Sequence, residues 1–289
     1  MSRKPYIYLM AVSLFGMLAW NAYTQSQPVE LKINKVKDNL YYIENDGGNV
    51  AVYITDEGVI LVDDKFDRDH DQIMARIKSV TNQPVKYILS THYHQDHSGG
   101  NGKMYAEGVQ IISTAKSREN ILQRKQLTLA APDVVPARVV FNDETSVFLG
   151  GKEVRAKYFG RGHTNGDAVI YFPAEHTIHT GDLMSGTTPL IDYSGGGSVV
   201  EWSNTLEKAM KAYPDADTVI PGHGAVTNPA GLKKYSDNVV TLREKVRKMV
   251  RGGKKQEEVA KFMETEYKWA PGGNQQNWSV PGFMTELKK

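Results

Sequence analysis

The segment STHYHQDHSGG, residues 90–100, directly follows the apolar run Val85–Leu89 and decides how the rest of the chain is interpreted. Within six residues it places four side chains of metal-binding type, namely His92, His94, Asp96 and His97. Two glycines follow shortly after them. Loops at strand ends commonly present binding groups. Imidazole and carboxylate are the ligands that a divalent transition metal takes where thiolate is absent. The segment therefore predicts a metal site rather than a set of isolated surface histidines.

Three further motifs each place one candidate ligand after a predicted strand and beside glycine. GRGHTNGD at residues 160–167 contains His163, TGD at 180–182 contains Asp182, and PGHG at 221–224 contains His223. Glycine permits the backbone conformations that loops need to close around a metal. The chain has eight histidines, and the remaining three are expected on the surface or packed within strands: His70, His176 and His179.

Hydrophobic spacing elsewhere predicts alternating strands and helices. Strands are predicted at residues 40–44, 50–54, 59–62, 85–89, 134–140, 146–148, 153–159, 168–172, 177–180 and 218–220. Helices are predicted at 69–80, 98–106, 117–130, 199–213, 230–250 and 257–267, with a coil tail at 270–281. Because this alternation occurs in both halves without a low-complexity linker, we expect one α/β domain built as a layered sandwich.

Composition excludes several kinds of chemistry. The chain contains no cysteine, so no thiolate is present to act as nucleophile or metal ligand. It has 35 basic and 33 acidic residues, and two of the basic ones, Arg3 and Lys4, lie at the N-terminus. Residues 27–289 therefore carry 35 − 2 = 33 basic against 33 acidic residues. Polyanion binding usually requires a basic excess, so a nucleic-acid substrate is disfavoured.

Residues 1–26 have the pattern of a secretory signal. Two basic residues precede an apolar run from Ile7 to Trp20, and Thr24-Gln25-Ser26 offers a cleavage site between small residues. We expect cleavage before Gln27. The chain would then consist of a signal peptide, residues 1–26, and one metallo-hydrolase domain, residues 27–289. An uncleaved membrane anchor is the alternative, although the run is short for a span of about 20 residues. The expected location is periplasmic or secreted.

The ordered set HxHxDH, GxxHT, GD and PGHG resembles the metallo-β-lactamase-fold hydrolase superfamily over roughly residues 36–250. The resemblance implies a four-layer αββα sandwich with two metal ions, expected to be zinc, at one edge of its sheets. Iron or manganese are alternative metals. The resemblance assigns His92, His94 and His163 to the first metal, and Asp96, His97 and His223 to the second. Asp182 would bridge both.

The expected chemistry is attack on a carbonyl by a hydroxide that bridges the two metals. Asp96 and Asp182 are the expected catalytic residues. Asp96 is suited to hold the hydroxide or pass a proton, and Asp182 would bridge the two metals. Thr91, Thr164 and Asp167 are candidates to orient the ligand histidines. Asp63 is a further candidate, with a solvated turn at Asp63-Asp64 as the equally weighted alternative.

The aspartate at position 182 differs from the superfamily's β-lactamases, which have cysteine or serine at this position. In this respect the chain resembles the thioesterases, lactonases and phosphotriesterases of the superfamily, which bridge two metals with aspartate. We therefore expect an ester, thioester, lactone or lactam as substrate, with β-lactam hydrolysis as the alternative. Three stretches are expected to line the substrate site: residues 46–49, 123–136 and 184–198. Within the last, Tyr193 is either an oxyanion donor or, as the favoured interpretation, a packing aromatic.

Two rival functions remain at this point. One is a sulfur-oxidising enzyme of the same fold that holds a single iron. The other is a metal-stabilised binding protein without catalytic activity. Metal analysis separates the first rival from a two-zinc hydrolase, and the Asp96→Ala variant separates the second.

Overall fold

A computed structural model describes residues 29–126, 134–186 and 188–288. The predicted signal segment, residues 1–26, and much of the predicted pocket stretch 123–136 lie outside the described residues. Two β-sheets form the centre of the molecule, and helices lie on their outer faces. None of the helices in these three ranges is long and apolar enough to cross a membrane.

The first sheet has seven strands that follow one another in sequence order. The first four strands are antiparallel neighbours, whereas β4 to β7 run parallel. Parallel neighbours need crossover connections, which here carry the first four helices. The strands are β1 (Lys32–Lys35), β2 (Leu40–Glu44), β3 (Val50–Thr55), β4 (Gly58–Val62), β5 (Val85–Leu89), β6 (Gln110–Thr114) and β7 (Val139–Phe141).

The second sheet has five strands in the order β12-β11-β10-β9-β8. Its strands are antiparallel except for the pair β11 and β12, which is parallel. The strands are β8 (Glu144–Leu149), β9 (Lys152–Tyr158), β10 (Ala168–Phe172), β11 (Thr177–His179) and β12 (Thr218–Ile220).

Three apolar clusters lie between the layers and pack them together. The central cluster joins the two sheets and includes Tyr53 and Leu89 from the first sheet and Phe172 from the second. A second cluster packs the first sheet against its helices, and a third packs the other sheet against the C-terminal helices. The predicted four-layer αββα sandwich is therefore confirmed.

The helices are α1 (His70–Lys78), α2 (Gln95–Ser98), α3 (Asn101–Ala106), α4 (Ala115–Gln126), α5 (Trp202–Ala212), α6 (Pro229–Arg251), α7 (Gln256–Tyr267) and α8 (Asn274–Glu286). The predicted helix 98–106 is interrupted at Gly99-Gly100, which separates α2 from α3. The predicted strand at 134–140 shortens to β7, and β1 and β6 were not predicted.

The prediction of a coil tail was wrong, because residues 274–286 form α8. Asparagine, glutamine and an internal proline, Pro281, make this segment a poor helix former by intrinsic propensity. Packing outweighs that propensity: Val280, Phe283 and Leu287 are buried in one cluster with Trp269. Tertiary burial of an apolar face is the main source of helix stability in proteins.

Candidate metal centre

The seven predicted ligands come from loops that follow strands of both sheets. The segment after β5 supplies the first four, and the β9–β10 loop supplies His163. Asp182 follows β11, and His223 follows β12. Since β11 and β12 are parallel neighbours, their ends bring Asp182 and His223 to the same edge. The structure brings all seven together in two groups, within each of which one ligand atom per residue lies within 4.8 Å of the others.

The first group consists of His92, His94, His163 and Asp182, all buried. His163 Nε2 lies 2.9 Å from His94 Nδ1, and 3.6 Å from Asp182 Oδ2. His92 Nε2 is buried and has no hydrogen-bond partner among the described residues. An unpaired buried nitrogen is costly, so a metal ion is the natural partner for it.

The second group consists of Asp96, His97 and His223 and is more open to solvent. His97 Nε2 lies 3.3 Å from His223 Nε2, and His223 Nε2 lies 3.2 Å from Asp96 Oδ2. Asp182 Oδ1 lies 3.3 Å from His97 Nε2 and 3.4 Å from His223 Nε2. Asp182 thus turns one carboxylate oxygen toward each group. Nitrogen and oxygen donors at this spacing fit zinc.

Asp63 supports the second group from the end of β4. Its Oδ2 lies 2.8 Å from His97 Nδ1 and accepts a 2.7 Å hydrogen bond from Thr91 Oγ1. Its Oδ1 accepts from the Thr91 amide at 2.7 Å. The solvated-turn interpretation was therefore wrong, since Asp63 and Asp64 are both fully buried. Burial and the neighbouring Asp63 raise the pKa of the Asp64 carboxyl well above its usual range.

The loop 190–199 supports the first group, a role that the sequence analysis did not predict for it. Asp192 is fully buried, and its Oδ2 lies 2.8 Å from His94 Nε2. The Leu190 carbonyl lies 2.6 Å from His163 Nδ1. A carboxylate or carbonyl on the far nitrogen fixes the tautomer and orientation of a ligand histidine. Asp192 belongs to no recognisable motif and lies 98 positions from His94, so local spacing offered no signal.

Among the other predicted orienting residues, Thr91 contacts a ligand imidazole directly, whereas Thr164 and Asp167 bind each other. Thr91 Oγ1 lies 3.1 Å from His92 Nδ1. Asp167 accepts from both the amide and the hydroxyl of Thr164, at 2.8 and 2.5 Å. The Thr164–Asp167 pair therefore holds the turn that follows His163, rather than the imidazole ring itself.

The two groups have opposite protonation tendencies. Burial lowers the pKa of His92 and of His94. Burial acts in the same direction on His97 and His223, but the carboxylates of Asp182 and Asp96 outweigh it. They raise the pKa of His97 well above its usual value and that of His223 to about 9. For Asp96, burial is outweighed by the neighbouring histidines, which lower its pKa.

The β2–β3 turn, residues 45–49, covers the second group. A Cβ on Gly48 would lie 2.2 Å from His97 Cε1, so only glycine fits there. The buried Lys65 Nζ donates to the Asn45 carbonyl at 2.7 Å and to the Gly48 carbonyl at 2.5 Å. Arg68 forms a bidentate ion pair with Asp46 at 2.9 and 3.0 Å. The predicted pocket stretch 46–49 therefore contacts the second group, and Lys65 and Arg68 hold the turn that contains it.

Asn49 links this turn to the loop that carries His223. Its Nδ2 donates to the Pro221 carbonyl at 2.9 Å and to the Gly224 carbonyl at 2.8 Å. The Asn49 amide also donates to the Gly222 carbonyl at 2.6 Å. These bonds join loops from the two sheets beside the second group.

The remaining candidates lie outside the ligand set. Tyr193 Oη donates to Glu286 Oε2 at 2.6 Å, which supports its interpretation as a packing residue and leaves the oxyanion role without geometric support. His179 packs within its strand and lies 3.1 Å from the Asn49 carbonyl. His70 is buried between Asp71 and Glu107, and His176 is exposed beside Asp215.

Two facing sheets with a histidine–aspartate cluster at one edge define an αββα metal-dependent hydrolase. A sequence profile described as "Metallo-beta-lactamase superfamily" matches residues 43–223 and so includes all seven clustered residues. The chain belongs to the metallo-β-lactamase superfamily.

Named relatives are consistent with this membership. The chain is 27% identical over 260 residues to "Metallo-beta-lactamase type 2" of Elizabethkingia meningoseptica, covering 85% of this chain and 98% of the relative. It is 26% identical over 198 residues to "Metallo-beta-lactamase IND-1" of Chryseobacterium indologenes, covering 65% and 80%.

Solved structures show the same fold. The DIM-1 metallo-beta-lactamase superposes with a TM-score of 0.63 at 24% identity, over 73% of this chain and 98% of that one. A metallo-beta-lactamase from Pontibacter korlensis gives a TM-score of 0.62 at 20% identity, over 72% and 99%. At this identity the likeness establishes the fold alone.

Proposed function

We propose that the protein is an exported hydrolase that holds two zinc ions and cleaves an ester, thioester, lactone or lactam carbonyl. His92, His94 and His163 would hold the first ion, and Asp96, His97 and His223 the second. The observation that carries this proposal is the placement of Asp182, whose two oxygens face different groups at 3.3 to 3.6 Å. A carboxylate in that position suits a bridging ligand.

Bound zinc lowers the pKa of water toward neutrality and polarises a carbonyl. The chain supplies the setting for that chemistry. Asp192 and the Leu190 carbonyl fix the rings of His94 and His163, and Asp63 fixes His97. Asp96 lies on the more open side of the centre, with Oδ2 3.2 Å from His223 Nε2. Its lowered pKa keeps it ionised at neutral pH.

β-Lactam hydrolysis is the second candidate, and the named relatives favour it. Two features of this chain weigh against it as the main activity. Asp182 occupies a position where the superfamily's β-lactamases have cysteine or serine. The cysteine-type β-lactamases place a lysine, suited to hold a substrate carboxylate, at the position that Ser185 occupies here. Arg161, the basic residue of the His163 motif, already binds the Gly196 and Gly197 carbonyls and Glu201. Neither residue provides an uncommitted cation for a substrate carboxylate.

Export rests on the N-terminal pattern alone, since residues 1–26 lie outside the described ranges. Cell fractionation followed by N-terminal sequencing tests it. A periplasmic or secreted product that begins at Gln27 supports cleavage, and a membrane-bound product that retains Arg3 and Lys4 supports the anchor.

Metal content measured by mass spectrometry, combined with a substrate panel on the same preparation, tests the function. Two zinc ions per chain and hydrolysis of an ester, thioester or lactone support the proposal. Preferential cleavage of a β-lactam supports the second candidate. One iron per chain would identify the sulfur-oxidising alternative. Absence of any hydrolysis, together with no change in rate in the Asp96→Ala variant, would identify a binding protein.

A further inference from the structure

Helix α8 presents a large aromatic side chain outside its own buried face. The face that packs into the protein carries Gln276, Ser279, Val280, Phe283 and Leu287, all buried. These positions repeat every three to four residues, as expected for one helix face. Trp278 lies off that face and is only half-buried. A tryptophan left partly exposed forgoes part of the hydrophobic stabilisation that full burial would give.

Trp278 lies instead beside the metal centre. Its ring centroid is 5.1 Å from that of His94, with the two planes tilted by 43°. His94 is one of the nitrogen donors of the first group and is itself 7% exposed. The indole therefore lies directly beside a candidate metal ligand, within reach of a substrate bound at the metal centre.

Two polar side chains, Ser279 and Glu286, fix α8 against the loop 190–199. Ser279 Oγ donates to the Ile191 carbonyl at 2.9 Å and accepts from the Ile191 amide at 3.0 Å. Glu286 accepts from Tyr193 Oη at 2.6 Å and from the Val199 amide at 3.1 Å. The same loop carries Asp192, which holds His94. The indole and the imidazole are thus positioned by one connected unit.

The helix and this loop also fit each other in shape. A Cβ on Gly282 would lie 1.9 Å from Tyr193 Cδ2, so glycine allows the tyrosine ring to rest directly on α8. Tyr193 further packs edge-on against Phe283, with centroids 6.0 Å apart. A preorganised wall binds a ligand without the entropic cost of ordering it.

We infer that Trp278 forms the acyl-side wall of the substrate site and that the protein prefers substrates with an apolar or aromatic group next to the scissile carbonyl. This inference rests on the proposed hydrolase function. An indole face gains by stacking with an apolar or aromatic group, and it offers nothing to a carboxylate. Arg161, the basic residue within the His163 motif, is occupied by backbone carbonyls and Glu201.

Kinetics with two esters that share a leaving group test the inference: 4-nitrophenyl phenylacetate and 4-nitrophenyl acetate. Trp278→Ala should raise KM for the phenylacetyl ester about 10-fold and that for the acetyl ester less than twofold, because only the former stacks. Trp278→Phe should retain most of the preference. Asn274→Ala, an exposed change one turn away on the same helix, should match the wild type with both esters.

An equal effect of Trp278→Ala on both esters, with zinc content unchanged, would overturn the inference and leave the hydrolase proposal intact. Failure of the wild type to cleave any substrate of the wider panel would overturn the hydrolase proposal instead.

A fluorescence titration tests the contact without turnover. The chain has four tryptophans, so the difference between wild type and Trp278→Phe isolates the signal of Trp278. Phenylacetate should change that difference signal and acetate should not. No response to phenylacetate would overturn the inference, whether or not an ester is cleaved and even if Trp278→Ala fails to fold.

Discussion

The two groups of clustered side chains share Asp182 but differ in charge, exposure and support. The first is buried and supplies three histidines, and the pKa of two of them is lowered. The second contains Asp96 and two histidines with raised pKa. The first is held by the loop 190–199 and the second by Asp63. In the proposed centre, a preformed nitrogen site thus lies beside a site at which metal binding would have to displace protons.

Removal of the shared residue should have the largest effect, because it damages both groups together. Asp182→Ala is expected to reduce kcat/KM by more than the 10- to 100-fold typical of lost supporting residues. Zinc content should fall, most of all at the second group. His94→Ala should also abolish hydrolysis. Circular dichroism should show both variants folded, and wild-type turnover in either one, or in chelator-treated protein, would contradict the proposed centre.

Substitution of the carboxylate that supports each group should affect that group and not the other. Asp192→Asn keeps the side-chain shape but removes the charge at His94, and Asp63→Asn does the same at His97. Each should lower metal affinity or activity by roughly 10- to 100-fold. Asp63 has a φ of 64°, which asparagine tolerates well, so its exchange should leave the backbone unchanged.

Stepwise zinc titration by calorimetry provides the measurement for this pair. Asp192→Asn should weaken one binding step and Asp63→Asn the other. If both variants weakened the same step, the division of the centre into two separately supported groups would be wrong.

Zinc binding to the second group should depend on pH far more steeply than binding to the first. His223 has a pKa of about 9, so below pH 9 a proton must leave before its nitrogen binds metal. Affinity should therefore fall as pH decreases from 9 to 6, by roughly tenfold per pH unit for each proton released. Burial lowers the pKa of His92 and of His94, so fewer protons have to leave there and the first step should change less.

Without metal, the folding stability associated with His223 has the opposite dependence. Its folded pKa exceeds the unfolded value of about 6.5. The stabilisation is complete below pH 6.5 and is lost as pH rises through about 9. Thermal unfolding of chelator-treated protein between pH 6 and 9.5 measures this, with His223→Gln as the control that should flatten the profile.

The smallest effect is expected at the rim of the second group. Arg68→Ala removes an ion pair with Asp46 in which the arginine side chain is 62% exposed. Pairs this exposed typically contribute up to about 1 kcal/mol. We expect a loss of that size or less in urea unfolding, with zinc content unchanged. A large loss of zinc would show that the turn depends on Arg68 rather than on the buried Lys65.

Residues close in sequence were the predictable part of this molecule. Four ligands lie within six positions, and the others stand beside glycine after strands, so side-chain type and spacing were sufficient to bring all seven together. The two-sheet architecture followed from the family resemblance that these motifs carry. Their individual roles as ligands remain proposals.

The supporting residues were not predictable, because they depend on contacts between distant segments. Asp192 reaches His94 only after both sheets and the loop 190–199 are in place. Lys65 looks like an ordinary surface lysine in sequence, yet it is fully buried under the β2–β3 turn. Helix α8 forms against its local propensity because a core face with Phe283 is available to bury.

The buried ammonium of Lys65 has a consequence for substrate access. By holding two carbonyls of the β2–β3 turn, it fixes the rim of the site at a constant height above His97. A turn held in this way is unsuited to act as a closing lid over the second group. The part of the aperture that this turn forms would then keep a fixed shape, and a substrate too bulky to pass it would be rejected at binding rather than during the chemical step.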